Sequence, residues 1–197
     1  MRAWILSLTL AALTAACGQV ETVSTPTNPS ADSVSASADA GLSGFSHKAG
    51  ENLFGYYIPT QDVRVGDLRL DHLHIGGETE FAAWEAGQRS ETYAPVMLEF
   101  SDLSSPVETN ELGAEVHTVR VRVLPRAYRL GDGDFRFVGE DARVGTVTLD
   151  GMLDLGVLGQ ARSDGPSSGE PEIVLRSAAQ FGSERLGALS FFWFGGD

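Results

Sequence analysis

The 197-residue chain has one cysteine, one lysine and no apolar run long enough to span a bilayer as a helix. A single cysteine forms no internal disulfide and supplies no thiolate set for a zinc or iron–sulfur centre. Positive charge is scarce as well: 14 basic side chains stand against 27 acidic ones, a formal net charge of −13. That sign opposes nucleic acid and anionic lipid headgroups. Several catalytic signatures are also missing. Lys48 has no Ser-x-x-Lys pattern, His-Glu-x-x-His does not occur, and both phosphate-binding glycine motifs are absent.

What is present begins at the N-terminus. Arg2 supplies a positive charge, and Ala3 to Leu13 is apolar apart from Ser7 and Thr9. Thr14, Ala15 and Ala16 follow, and then Cys17. A charged start, a short apolar middle and a small-residue end are the layout of a secretory signal peptide, here residues 1–16. Ala15-Ala16-Cys17 resembles the lipobox of bacterial lipoproteins, with Thr14 in the place where leucine is usual and Leu13 one step earlier. The resemblance implies cleavage before Cys17, diacylglycerol on its thiol and further acylation of the new amino terminus. Membrane anchoring would then rest on two or three chains, at about 0.8 kcal/mol per buried methylene. Gly18 after the cysteine, rather than Asp, points to the outer membrane of a Gram-negative cell, with the facing leaflet left open. Cleavage at Ala16 by the general signal peptidase is the alternative and would leave a free thiol.

Residues 17–44 then read as the lipidated cysteine and a linker. Its only apolar side chains larger than alanine are Val20, Val23, Val34 and Leu42. Such a segment cannot bury enough surface to offset its ordering entropy, so a disordered tether with a reach of roughly 30 Å is expected. The rest, 45–197, reads as one acidic domain. It holds 16 of the 17 aromatic residues and carries −11 of the charge, the linker carrying −3 and the leader +1.

Periodicity in the domain is that of β-structure. Val119-Arg120-Val121-Arg122-Val123 alternates strictly, and Phe135-Arg136-Phe137 repeats the pattern. The glycine-rich link Leu130 to Phe135 predicts a hairpin, and Pro125 a bend or a strand end. Further strands are expected at 53–58, 63–70, 73–75, 95–100, 144–149, 172–181 and 186–194. Only Glu78 to Gln88 reads as a helix, with Phe81 and Trp84 on one side and Gly87 ending it. Arg64 to Asp71 matches Arg143 to Asp150 at five of eight positions, which fits either an old duplication or the reuse of a common strand–turn pattern. The expected fold is all-β: a two-sheet sandwich or flattened barrel of about 8–10 mostly antiparallel strands.

Three groups of residues carry candidate chemistry. Gly66, His72, His74 and Glu78 have the spacing Gly-x5-His-x-His-x3-Glu, and alternate histidines on a strand share a face. The spacing resembles the first metal motif of cupins, which implies a divalent metal on His72, His74 and Glu78 and a metal-dependent β-barrel enzyme. The motif's closing glycine would fall at Glu85, the second motif has no counterpart, and His117 is the only later histidine. A bulge near Asp71 would instead turn both imidazoles to solvent. Asp132, Asp134, Glu140, Asp141 and Asp150 form an acidic group that suits either calcium-supported adhesion or solvated turns. Arg120, Arg122, Arg126, Arg129 and Arg136 form a basic band, for an anionic ligand or for carboxylates across the sheet. The aromatic end Phe191 to Phe194 suits either a core or a surface for sugar or peptide. The expected role is therefore a lipid-anchored envelope protein, a non-catalytic binding or assembly module without a cofactor, whose partner is an envelope protein or a small molecule and not nucleic acid. The metal-dependent enzyme is the alternative.

Overall fold

The computed structural model describes residues 42–164 and 170–196. The leader, Cys17 and all but the last residues of the linker lie outside the described residues. In chain order the first elements are β1 (Phe45–His47), β2 (Gly55–Pro59), β3 (Arg64–Val65), β4 (Leu68–Ile75), α1 (Glu78–Glu85) and β5 (Val96–Asp102). A short hairpin follows, β6 (Val107–Thr109) and β7 (Glu115–His117). Then come β8 (Arg120–Val123), β9 (Pro125–Gly131), β10 (Asp134–Asp141), β11 (Gly145–Leu153), α2 (Leu155–Asp164), β12 (Ile173–Phe181) and β13 (Glu184–Phe194).

Nine strands build one curled wall, paired in the order β9-β10-β11-β12-β13-β2-β4-β5-β8. Only Leu124 separates β8 from β9, so these two are one bent strand. Before the bend it pairs with β5, and after it with β10. The two ends of the pairing order are thereby joined through the chain, and the wall closes on itself as a flattened barrel. Every pairing in the wall is antiparallel, and β1 adds a short parallel pairing to β9. The bend falls at Pro125, which has no N–H to donate. There the register of β9 on β10 slips beside Gly139, where any side chain would collide with the Leu124 carbonyl.

Alternation sorts the side chains. Val121 and Val123 point inward, while Arg120 and Arg122 are exposed. Tyr57, Leu73, Leu98, Phe100, Phe135, Phe137 and Phe191 fill the interior, all essentially inaccessible to solvent. Four antiparallel steps separate β4 from β11, so both run the same way and both helices leave the same end of the barrel. Phe81 and Trp84 of α1 are buried there, Phe81 stacked on His47 at 3.8 Å. Leu158 of α2 is buried in the same core. From the opposite end of β5, Asp102 reaches Arg143 of the β10–β11 turn at 2.6 Å. The Ser104 hydroxyl and this guanidinium hold the Asp102 carboxyl down at about 2.

The likeness between residues 64–71 and 143–150 extends through the fold. Leu68 pairs with Asp102 and Leu70 with Phe100, and 79 residues later Val147 pairs with Phe181 and Leu149 with Ala179. Gly66 and Gly145 both enter their strands with positive φ, +58° and +81°. Each half is strand, strand, helix, strand, strand: β2-β4-α1-β5-β8 and β10-β11-α2-β12-β13. The first half departs from the second in three places, the first being the short strand β3 between β2 and β4, where β10 and β11 are joined by a turn. It has an extra residue at Asp71, a bulge that β11 lacks. It also inserts β6 and β7 between its last two strands, where β12 and β13 are joined by the turn at Gly182-Ser183.

The expected hairpin at Leu130 to Phe135 is the β9–β10 turn, with Asp132 and Gly133 at positive φ. The helix expected at 78–88 ends at Glu85, with Gly87 in the left-handed region just beyond it. α2 was not expected, since Gly156 and Gly159 weaken both its propensity and its pattern. β13 is buried on one face through Leu189 and Phe191, whereas Phe192 is half-exposed and Phe194 exposed. Truncation at the two kinds of site has opposite consequences. Leu73→Ala is expected to lower the unfolding free energy by about 2–5 kcal/mol in urea titrations. Met152→Ala, at a side chain 58 % exposed, is expected to stay within about 0.5 kcal/mol of the parent.

Candidate functional site

The bulge in β4 decides what faces outward. Leu68 and Leu70 point into the core, Asp71 takes the extra place, and Leu73 and Ile75 point inward again. His72 and His74 therefore lie on the outer face of the wall. His72 stands opposite Glu99 of β5, and Glu99 stands opposite Arg122 of β8. Residues directly opposite share a face and touch, so the three form one row across the sheet. Glu99 accepts from Arg122 Nε at 2.7 Å and lies 3.5 Å from Arg120 Nε. Asp71 receives the Ser101 hydroxyl and lies 3.3 Å from Arg69 and 3.8 Å from Arg120. Half-exposed pairs of this kind add little to stability; their effect is to hold charged groups in place.

The β6–β7 hairpin roofs this floor. Arg120 donates to the His117 carbonyl at 2.7 Å, and His117 Nδ1 donates to the Ser105 carbonyl at 3.1 Å. Between floor and roof lies an open cleft of about 430 Å³, with Val107, Glu115 and Val116 above and His72 and Ser101 below. Burial lowers the His72 pKa; Glu99 and Asp71 oppose that effect, and Arg122 and Arg120 reinforce it.

Beside the cleft a hydrogen-bond chain leads back to α1. Glu80 accepts the Gly77 N–H at 2.6 Å, which satisfies a free donor at the helix start. The same carboxylate accepts the Tyr93 hydroxyl, and His74 Nε2 lies 2.9 Å from that hydroxyl oxygen. A phenol has one hydrogen, and here it goes to Glu80, so His74 Nε2 is the donor to Tyr93. Nδ1 is then the bare acceptor, buried and without a partner. Phe54 and Tyr56 pack their rings against the imidazole. Burial lowers the His74 pKa; Glu80 and Glu99 act against that effect, and His72 and Arg122 add to it.

The expected site residues separate as follows. His72 and His74 do share the outer face, but the Tyr56 ring lies against both, 4.9 Å and 5.3 Å between centroids. Glu78 is exposed on α1, and the carboxylate that joins His74 through Tyr93 is Glu80. Among the described residues no three His, Cys, Asp or Glu side chains come together in positions to hold a metal ion. The bulge at Asp71 is present, yet it does not turn both imidazoles to solvent: His72 is half-buried and His74 is buried beneath aromatic rings. The acidic group at 132–150 is dispersed. Asp134 pairs with Arg129, Glu140 with Arg126 and Asp150 with Arg136, while Asp141 accepts backbone N–H groups of its own turn. The arginine band is thus spent on carboxylates across the sheet. The letters Gly-x-Ser-x-Gly do occur at residues 165–169, outside the described residues. They follow α2 and precede β12, whereas a nucleophile elbow leads from a strand into a helix.

Sequence reasoning missed Glu99, Ser101, Glu80, Tyr93 and the hairpin roof. The alternating Arg120-x-Arg122 and Glu99-x-Ser101 were visible, but not that they face one another. The chain matches no protein-family model, no curated protein and no solved structure.

Two outcomes test this network. His47, His72 and His74 all have lowered pKa values, with burial the largest cause in each. The folded chain therefore binds fewer protons than the unfolded chain as the pH falls below about 6.5. Their contribution is complete above that value and is lost as the pH drops through the folded pKa values. Tm is expected to fall between pH 7 and pH 5, and less steeply in His74→Gln; a flat profile would contradict the buried neutral imidazoles. Tyr93→Phe takes the hydroxyl from Glu80 Oε1, which leaves that carboxylate only its Gly77 N–H, and leaves the His74 N–H unpaired, at an expected cost of about 1–3 kcal/mol by denaturant titration.

Proposed function

We propose that the chain is an exported, lipid-anchored envelope protein whose barrel is a non-catalytic binding module, taking a small-molecule ligand in the cleft beneath the β6–β7 hairpin. The observation that carries the binding reading is the cleft itself. The charged groups of its floor are tied in opposite-sign pairs on a sheet, and a roof present in only one of the two matching halves covers them. Fixed, mutually neutralised donors and acceptors suit recognition, since they need little reordering when a ligand arrives. The export and anchor reading rests on the apolar leader, on Ala15-Ala16-Cys17 and on the composition of residues 18–44.

The anchor is tested on the full chain expressed in a Gram-negative host. The parent is expected in the membrane fraction and to incorporate radiolabelled palmitate. Cys17→Ala is expected to lose the label and leave the membranes; a Cys17→Ala chain that stays with them would refute lipid anchoring.

A further inference from the structure

We infer that the ligand of this cleft is a neutral, polyhydroxylated molecule, a short oligosaccharide, lying between the ion-paired floor and the aromatic strip beside it; this rests on the reading of the barrel as a binding module. The charge of the site comes first. Arg69 and Arg120 line the cleft with Asp71, Glu99 and Glu115, and Arg122 pairs with Glu99 from beside it, so three cations stand against three anions around the site. A charged ligand would leave one sign without a partner. A sugar hydroxyl both donates and accepts, so vicinal hydroxyls can accept from a guanidinium fork and donate to a carboxylate without disturbing the balance.

The second observation is the aromatic strip. Phe194 stands opposite Tyr56, and Tyr56 opposite His74, so all three share the outer face. The Tyr56 ring meets His72 edge-on at 4.9 Å, and His72 lines the cleft. Phe194 is 37 % exposed, which leaves ring surface open at the outer end of the strip. A sugar ring has an apolar C–H face beside its hydroxyl edge. This surface offers an aromatic face for the first and charged groups for the second. A volume of about 430 Å³ is in the range of small-ligand sites and suits a short oligosaccharide.

The third observation is the origin of the roof. The second half makes the same strand pair, β12 and β13, with a turn at Gly182-Ser183 and no hairpin. The barrel wall therefore does not require β6 and β7. They serve the cleft, to which they contribute Val107, Glu115, Val116 and His117.

The test uses the full chain purified in detergent, applied to immobilised neutral, acidic and amino-sugar oligosaccharides and titrated with inorganic phosphate and free amino acids. Neutral oligosaccharides are expected to be retained. Retention should weaken at least tenfold in Glu99→Gln and in Tyr56→Ala. It should also be lost when residues 106–118 are replaced by a Gly-Ser turn, with Tm changed by only a few degrees. If the shortened chain does not fold, the two point variants decide the outcome alone. Binding sensitive to Glu99→Gln but confined to charged glycans, phosphate or amino acids would overturn the neutral-sugar assignment and leave the binding module standing. Sugar retention unchanged in both point variants would place the sugar elsewhere and overturn the assignment. No binding of any probe that Glu99→Gln alters would overturn both.

Discussion

A sheet that curls must dispose of its two edges, and here one strand serves both. Residues 120–123 pair with β5 and residues 125–131 with β10, with only Leu124 between. Closure at that bend leaves no long free edge in the wall, which open sheets must otherwise protect. It also creates an interior, where Phe100, Phe135, Phe137 and Phe191 exclude water together with the aliphatic residues around them. The bend is permitted by Pro125, which gives up a ladder hydrogen bond, and by Gly139, which lets the Leu124 carbonyl pass. The inward-facing set of every strand follows from this closure, because a slip of one residue would exchange the two faces.

The two halves of the barrel show what the fold needs and what was added. The shared parts are four strands and a helix, in the same order and, across β4–β5 and β11–β12, in the same register. A bulge at Asp71 and a hairpin at 107–117 belong to the first half alone, and they meet at one place on the outer wall. Bulges redirect side chains, and this one places His72 and His74 outward while Leu73 and Ile75 return to the core. The hairpin covers the charged row that follows. The pairing of carboxylates with arginines there contributes little to stability, so its value lies in position. The half-buried chain from Glu80 through Tyr93 to His74 ties this surface to the first turn of α1.

Much of the architecture was legible along the chain. The alternation at 119–123 marked a strand with one buried face, and the glycines at 131 and 133 marked the hairpin. Phe81 and Trp84 marked the face of α1 that packs. The bulge near Asp71 could be read from the change of parity between Leu70 and Leu73. The site was legible only in part. His72 and His74 stood out by their spacing, but the spacing suggested Glu78 as their partner, three residues past Ile75. That position is on the exposed side of α1, and Glu80 turns back to the helix start and meets Tyr93. Tyr93 itself lies in a loop with no pattern to mark it. α2 was hidden because its glycines dilute the apolar period.

By itself the sequence determined what depends on neighbours along the chain: β-alternation, turns at glycine, the sign of the charge, and the changes of composition near residues 17 and 44. These are local because a strand's two faces and a turn's dihedral angles are set within a few residues. Only the tertiary structure decided which side chains meet. That Glu99 sits between His72 and Arg122 depends on the register of three strands. The register is set by the closure of the barrel and by one extra residue at Asp71. That the imidazole of His74 is buried depends on Tyr56 from another strand and Tyr93 from a loop. No local pattern carries such partners, because they arise only when the wall has curled and each strand has found its neighbour.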